Sequence, residues 1–286
     1  MTKRILITGK SSYIGNKFVE WINHCEEDFE LDQISVRDEK WTEMNFSVYD
    51  SILHLAGIAH VSKDPKMEDL YYTVNRDLTI NLAKKAKKDG VKQFIFMSSI
   101  IVYGDGVGKD GLIDEQTVPK PRDFYGNSKL QAEEGIIPLN DDSFNVAIIR
   151  PPMIYGKGSK GNYPRLAKLA KKTPIFPDFK NKRSMIHIDN LNELIRLLIK
   201  NEEFGTFFPQ NEEHVVTTHL VKTIGDTVNK NIRITRVTNP LIKFGTRKID
   251  LVSKLFGNLY YEKELSHYKQ NYQINNFRES IKQTEN

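Results

Sequence analysis

The first apolar run of the chain is short: Arg4-Ile5-Leu6-Ile7-Thr8, then Gly9. A run of this length without polar alternation is the pattern of a strand buried on both faces. Apolar positions then recur at helical spacing over 14–27, with Phe18, Val19 and Ile22 on one face. Further strands are expected at 33–37, 51–56 (SILHLA), 92–98 (KQFIFMS) and 145–150 (NVAIIR). Between them, helices are expected at 67–88, closed by Gly90, and at 123–135. Strands alternating with helices predict an α/β fold on a doubly wound parallel sheet. The stretch from Arg37 to Ser51 is short, so one βα unit of this architecture is trimmed here.

After Arg150 the rhythm changes. Pro151, Pro152, Pro164, Pro174 and Pro177 break the chain into loops and short helices. Residues 185–200 read as a strand and helix, and short elements follow from 205 onward. The expected division is a main domain over 1–150, with 183–204 returning to it. A smaller mixed α/β lobe over 151–182 and 205–286 would bind substrate.

Composition limits the partners. The 286 residues are 39% hydrophobic and 28% charged, as in a globular enzyme, and the net charge of +5 is mild. The densest basic run, Lys84-Lys85-Ala86-Lys87-Lys88, ends a predicted helix, where positive charge suits the helix dipole. No basic stripe with stacking aromatics marks a nucleic-acid binder. Cys25 is the only cysteine, so no intramolecular disulfide forms, and its place in a predicted helix suggests packing. No apolar run reaches the roughly 18 residues of a membrane span, which argues against stable membrane insertion. Met1-Thr2-Lys3-Arg4 leads into a strand and not a signal peptide. A cytoplasmic protein is the expectation.

Two groups of residues carry chemistry. The first is Thr8-Gly9-Lys10-Ser11-Ser12-Tyr13-Ile14-Gly15, between the first strand and first helix. Gly9 permits a tight turn, Gly15 permits close helix–strand packing, and amides at the helix start can hold a pyrophosphate. Ser12 stands at the middle position, usually glycine; it can still donate a hydrogen bond but crowds the approach. In this context 1–150 reads as an NAD(P)-binding, Rossmann-like domain. The residue expected at the end of the second strand, Arg37, and Lys10 in the turn suit the 2′-phosphate of NADP. A one-residue shift would put Asp38 there instead, in the role that binds the ribose of NAD.

The second group is Tyr125-Gly126-Asn127-Ser128-Lys129, which sets a tyrosine and a lysine four apart on one helical face. A phenol has a pKa of about 10; a nearby ammonium would lower it and make an acid–base pair. Ser99 ends the strand of FIFMSS and could align a substrate oxygen with Tyr125.

With these pieces in place, the sequence resembles the NAD-dependent epimerase/dehydratase family of extended short-chain dehydrogenases. The matching segments are TGKSSYIG (8–15), LHLAG (53–57), Val74-Asn75, MSSIIVYG (97–104), YGNSK (125–129), RPPMIYG (150–156) and RSMIHIDNL (183–191). More narrowly, VKQFIFMS (91–98), RPPMIYG and KLFGNLYY (254–261) are similar to bacterial capsular-polysaccharide nucleotide-sugar 4-ketoreductases. The resemblance implies Ser99, Tyr125 and Lys129 as the catalytic group, with Ser99 and Tyr125 also touching substrate and Tyr125 and Lys129 also touching cofactor. It implies Gly9, Ser12, Tyr13, Ile14 and Gly15 at the cofactor diphosphate, and Leu55, Ala56 and Gly57 along the adenosine and ribose. Pro151 and Met153 would border the nicotinamide, and Arg183 would bind the diphosphate of a UDP-sugar. Asn75 would be a structural or proton-relay residue. A homodimer through two long helices, including 123–135, is also implied.

Plainer readings apply elsewhere. His54 and His60 have no cysteine partner and no HxxxH spacing, so no metal site is expected. His187 reads as structural. Residues 240–261 are basic and amphipathic, with Pro240 first and Ile242, Ile249, Val252, Leu255 and Phe256 among polar positions; a helix packed on the substrate lobe is the simpler reading, a membrane surface or partner the other. The leading reaction is reduction at C4 of a UDP-4-keto-6-deoxy-N-acetylhexosamine in cell-surface polysaccharide biosynthesis. The alternative is 4-epimerisation of UDP-glucose or UDP-N-acetylglucosamine. A third class, a non-catalytic dinucleotide sensor, is disfavoured by the intact Tyr125 and Lys129.

Overall fold

The computed structural model describes residues 2–59, 64–104, 109–237, 239, 242 and 250–286. The chain divides into two compact units. The first is Met1–Gly104, Val118–Pro151 and Leu191–Pro209; the second is Asp105–Thr117, Pro152–Asn190 and Gln210–Asn286.

The first unit is a six-stranded sheet with helices. Its strands are β1 (Lys3–Thr8), β2 (Phe29–Ile34), β3 (Ser51–His54), β4 (Gln93–Met97), β6 (Asn145–Ile149) and β10 (Gly205–Phe207). Their order is β10-β6-β4-β3-β1-β2, with every neighbouring pair parallel. All of β3 and β4 is buried, as central strands around Ile52-Leu53 and Phe94-Ile95-Phe96-Met97. Leu6, Ile52, Phe94, Phe96, Val146 and Ile148 form a core with Leu82, Ala83 and Ala86 of α3 (Leu78–Lys88) and Ala132 and Ile136 of α4 (Phe124–Ile136).

The second strand departs from expectation. It covers Phe29–Ile34, not 33–37, and pairs with β1 from Lys3↔Phe29 to Thr8↔Ile34. Its sequence FELDQI alternates because β2 lies at the sheet edge, with Glu30 and Asp32 exposed. An edge strand does not need the apolar run of a central one. The first helix, α1 (Tyr13–Ile22), also stops before the expected 27. Its apolar stripe ends at Ile22, and the chain turns through Asn23, His24 and Cys25, whose amides bond Val19, Trp21 and Ile22 carbonyls.

The helix expected at 67–88 holds an unforeseen feature. Between α2 (Glu68–Tyr71) and α3, residues Tyr72–Asp77 form a π-helical turn. Such turns widen a helix by one residue and frequently occur at functional sites.

The second unit has two-stranded parallel pairs: β7 (Met153–Tyr155) with β9 (Met185–His187), β8 (Ile175–Pro177) with β11 (Arg233–Thr235), and β5 (Leu112–Ile113) with β12 (Tyr260–Tyr261). Around them pack α5 (Asn162–Lys172), α7 (Thr217–Thr227) and the helix Phe277–Glu285, on a core that includes Tyr155, Tyr163, Phe176, Leu220, Ile224 and Ile281. Because β9 pairs with β7, the chain rejoins the first unit at Leu191, within α6 (Ile188–Lys200), and stays there through β10 to Pro209. The expected return was 183–204.

In the 240–261 segment, Pro240 and Ile249 lie outside the described residues. Phe256, on the helix Asp250–Phe256, is buried with its ring 5.8 Å from that of Phe176, and Ile242, Val252 and Leu255 pack on the same core. Among the described residues no helix is long and apolar enough to cross a membrane.

Candidate active site

The turn after β1 is fixed by backbone geometry. Gly9 has φ +96°, and a Cβ there would stand 3.0 Å from the Ala56 nitrogen. A side chain at Gly15 would meet Gln33, Ile7 and Leu55, each at 3.2 Å. Both glycines therefore serve close packing of turn, helix and sheet. The amides of Gly9 and Lys10 both donate to the Ile34 carbonyl, at 2.9 and 3.0 Å, and tie the turn to the end of β2. Ser12 is the N-cap of α1; its hydroxyl oxygen accepts from the Gly15 amide at 3.3 Å and keeps its own proton to donate. Tyr13 and Ile14 form the first turn of α1.

Lys10 and Arg37 are both exposed. Arg37 lies three residues past the strand it was expected to end. Asp38 caps the short helix Glu39–Thr42 by accepting from the Lys40 amide at 3.3 Å. At the end of β3, Leu55 and Ala56 are half-buried and Gly57 is exposed. A Cβ on Gly57 would come within 3.0 Å of Asn75 Oδ1 and 3.2 Å of Lys129 Nζ. Bare backbone at Gly9 and Gly57, beside a helix N-terminus and a lysine, fits a dinucleotide.

Ser99 follows β4 and caps the short helix Ile100–Tyr103. Tyr125 and Lys129 lie one turn apart on α4, whose N-cap, Asp123, accepts from the Gly126 amide at 2.8 Å. The structure brings Ser99 near enough to Tyr125 to act on its phenol. Burial pushes the Tyr125 phenol up to about 12; the Ser99 hydroxyl opposes the rise, and Tyr71 and Asp123 add to it. The ammonium of Lys129 was expected to lower that phenol. Instead it donates to the Met97 carbonyl at 2.9 Å and sits 4.6 Å above the Phe96 ring. Burial brings Lys129 down to about 8, against the pull of Glu133. Pro151 closes β6 beside this group, its carbonyl accepting from the Ile100 amide at 2.9 Å.

Three buried polar residues surround the group. His54 shares hydrogen bonds with Thr8 Oγ1 at 2.6 Å and Thr79 Oγ1 at 2.9 Å. Thr79 donates to the Asn75 carbonyl, so His54 Nε2 is the protonated nitrogen and Nδ1 accepts. Burial, with the Lys129 charge nearby, lowers His54 to about 3, and the ring is neutral. Asn75, on the π-helical turn, bonds the Ile58 backbone on both sides and donates to Ser128 Oγ at 3.1 Å. Glu133, not singled out from sequence, lies one turn beyond Lys129 and is 1% exposed. It pairs with Arg150 at 2.5 Å and accepts from Ser98.

His60 lies outside the described residues. Met153 and Arg183 belong to the second unit. Met153 opens β7, and Arg183 donates from Nη1 to the Gly257 carbonyl at 2.9 Å. His187 is buried against Tyr155, with Asp189 3.6 Å away. Among the described residues no group of three or more His, Cys, Asp or Glu could hold a metal.

A parallel α/β sheet with a glycine turn after its first strand and Ser, Tyr and Lys at its carboxyl edge defines a short-chain dehydrogenase architecture. Within that class the chain belongs to the NAD dependent epimerase/dehydratase family, which matches residues 5–207. It is 32% identical to a UDP-glucose 4-epimerase of Vibrio cholerae, over 94% of this chain and 90% of the relative. Two solved structures share the fold. One is a dTDP-4-dehydrorhamnose reductase from Bacillus anthracis in complex with NADP (TM-score 0.73, 19% identity, 99% of this chain and 98% of that one). The other is a UDP-glucose 4-epimerase from Thermus thermophilus in complex with NAD (TM-score 0.74, 16% identity, 98% and 97%). Relatives and neighbours are thus NAD(P)-dependent nucleotide-sugar epimerases and reductases.

Proposed function

We propose that this protein is a cytoplasmic, homodimeric reductase acting at C4 of a UDP-linked 4-keto-6-deoxy-N-acetylhexosamine, with NADPH as reductant, in cell-surface polysaccharide assembly. The observation that carries the reading is the placing of Tyr125 and Lys129 one turn apart on α4, with Ser99 following β4. With the phenol pushed up to about 12, it is an acid at neutral pH. Carbonyl reduction begins from that state, because the carbonyl oxygen must receive a proton as the carbon receives hydride. Ser99, at the end of β4 beside Tyr125, would polarise the same oxygen. Lys129 would hold positive charge where the phenolate forms, so that proton loss from Tyr125 is stabilised during the step.

The nicotinamide, when bound, supplies the hydride. Gly9, Ser12, Tyr13, Ile14 and Gly15 would hold its diphosphate, with Leu55, Ala56 and Gly57 along the nucleoside. Pro151 and Met153 would border the nicotinamide. Lys10 and Arg37 would take the 2′-phosphate, and Arg183 the diphosphate of the sugar nucleotide.

The purified protein given the 4-keto sugar should consume one NADPH per sugar reduced. Absence of NADPH oxidation with every such sugar would refute the reading. The second reading, UDP-sugar 4-epimerisation, is favoured by a UDP-glucose 4-epimerase that aligns along most of the chain. It would show interconversion of the C4 epimers with no net cofactor consumption.

A further inference from the structure

We infer that Glu133 is a positioning residue for the reaction: its carboxylate, clamped by Arg150 and Ser98, locks the catalytic helix to two strand ends and keeps the Lys129 ammonium charged. The inference rests on the proposed use of Lys129. Its geometric basis is independent of which sugar is bound.

The contacts converge on one carboxylate. Arg150 Nε lies 3.1 Å from Oε1 and 3.2 Å from Oε2 of Glu133, and Arg150 Nη2 lies 2.5 Å from Oε2. Ser98 donates to Oε1. Arg150 also donates to the Tyr103 hydroxyl at 2.8 Å and stands 5.2 Å from the Tyr103 ring and 5.7 Å from that of Phe208. Ser98 directly precedes Ser99, and Arg150 directly precedes Pro151. Glu133 is thereby bonded to the residue before Ser99 at the end of β4 and to the residue before Pro151 at the end of β6. It sits one helical turn from Lys129, and Lys129 one turn from Tyr125. A shift of α4 along its axis would have to break a buried, charge-assisted network.

The second role is electrostatic. The charged and titratable groups around Lys129 are Tyr125 and Glu133 on α4, the neutral His54 at the end of β3, and Arg150 beyond β6, which faces Glu133. Of these, Glu133 is the anion that favours the ammonium against its burial. Replacing Glu133 by glutamine removes the negative charge but leaves the Arg150 charge in place. Loss of the anion disfavours the Lys129 cation, so Lys129 loses its proton at lower pH. A buried ion pair that merely holds the fold would change stability and leave that titration where it is.

The test follows Lys129 directly. Its 13Cε NMR signal, assigned by its loss in Lys129→Met, is titrated in the wild-type protein and in Glu133→Gln. The midpoint is expected to fall by about one unit or more, and Glu133→Asp, which keeps the charge, to restore most of it. In turnover of the 4-keto sugar, the alkaline limb of kcat should move down with that midpoint, while KM for the sugar nucleotide stays within about twofold. If Glu133→Gln does not fold, Glu133→Gln/Arg150→Met replaces a neutralised pair with a neutral one; a smaller downward shift is then expected. A folded variant with an unmoved Lys129 midpoint overturns the inference. Failure of every sugar to turn over would count against the proposed reaction alone, because the NMR titration needs no substrate.

Discussion

At the β1–β2 edge of the sheet, the residues expected to choose the cofactor, Lys10 and Arg37, are exposed side chains on loops. At the carboxyl ends of β4 and β6, Ser98, Lys129, Glu133 and Arg150 are buried and bonded to one another or to backbone. Exposed charges cost little to carry and little to exchange. Buried ones hold a set protonation state only while every partner is present. The first region is therefore suited to tuning which nicotinamide binds, and the second to fixing how protons move. Substitutions should separate the two, with large, pH-coupled effects on one side and small, cofactor-specific effects on the other.

The largest effect is expected from Tyr125→Phe. It removes the one phenol placed to give up a proton beside Ser99, and kcat should fall about 10³-fold, in the range of lost general acid catalysis. The measurement is single-turnover NADPH oxidation with the 4-keto sugar; a loss below tenfold would show that another group supplies the proton.

Lys129→Met should be nearly as damaging to turnover, yet it should stabilise the fold. Lys129 has a folded pKa of about 8 against a usual 10.5. Below pH 8 it is charged in both folded and unfolded chains, and the full burial penalty of roughly 3 kcal/mol applies. Between 8 and 10.5 the unfolded chain binds more protons, so wild-type stability rises with pH and the advantage of Lys129→Met shrinks. Thermal melts at pH 7 and pH 10 should show a variant gain at the first and little at the second. An equal gain at both would mean that packing, not charge, is responsible.

The same contrast explains what the sequence made legible. The central strands were readable because full burial demands unbroken apolar runs: β4, QFIFM, has no other way to sit mid-sheet. The edge strand β2 was not, because Glu30 and Asp32 of FELDQI face water and interrupt the apolar run. That misplacement carried over to the cofactor side, where Arg37 stands three residues beyond the strand. Tyr125, Lys129 and Ser99 could be named because local spacing put two on one helix face and the third at a strand end. Glu133 could not. In sequence it is one of two adjacent glutamates on a helix, and its partners lie 17 and 35 positions away. The spacing of four from Lys129 was the only available signal, and it equally describes a solvated surface pair. The π-helical turn at Tyr72–Asp77 has no signature in hydrophobic periodicity, since it shifts register by a single residue.

Gly9→Ala should act through the backbone. With φ +96° and the Ala56 nitrogen 3.0 Å from the added Cβ, the alanine strains the turn that joins β1, β2 and the end of β3. A loss of about 1–3 kcal/mol is expected in denaturant unfolding, together with weaker binding of both NADPH and NADH. A variant that loses affinity for one cofactor only would place Gly9 at a specificity contact instead.

Arg37→Ala should give the smallest change and the sharpest division between the two regions. The residue is exposed, and its backbone amide contact with Ser35 Oγ at 3.4 Å survives the substitution, so stability should stay within about 0.5 kcal/mol of wild type. A charge-assisted bond from Arg37 to a 2′-phosphate would be worth about 1.5–3 kcal/mol, so KM for NADPH should rise roughly tenfold or more while KM for NADH is unchanged. The loss should shrink as salt is raised, because an exposed cation is screened. Asp38 makes the outcome two-sided. If its carboxylate holds the ribose hydroxyl of NAD, Arg37→Ala leaves both KM values alone and Asp38→Ala weakens NADH. The Lys129 midpoint should be indifferent to either substitution, because neither charge is among the groups that set it; a coupled shift there would erase the distinction between a tunable edge and a fixed catalytic side.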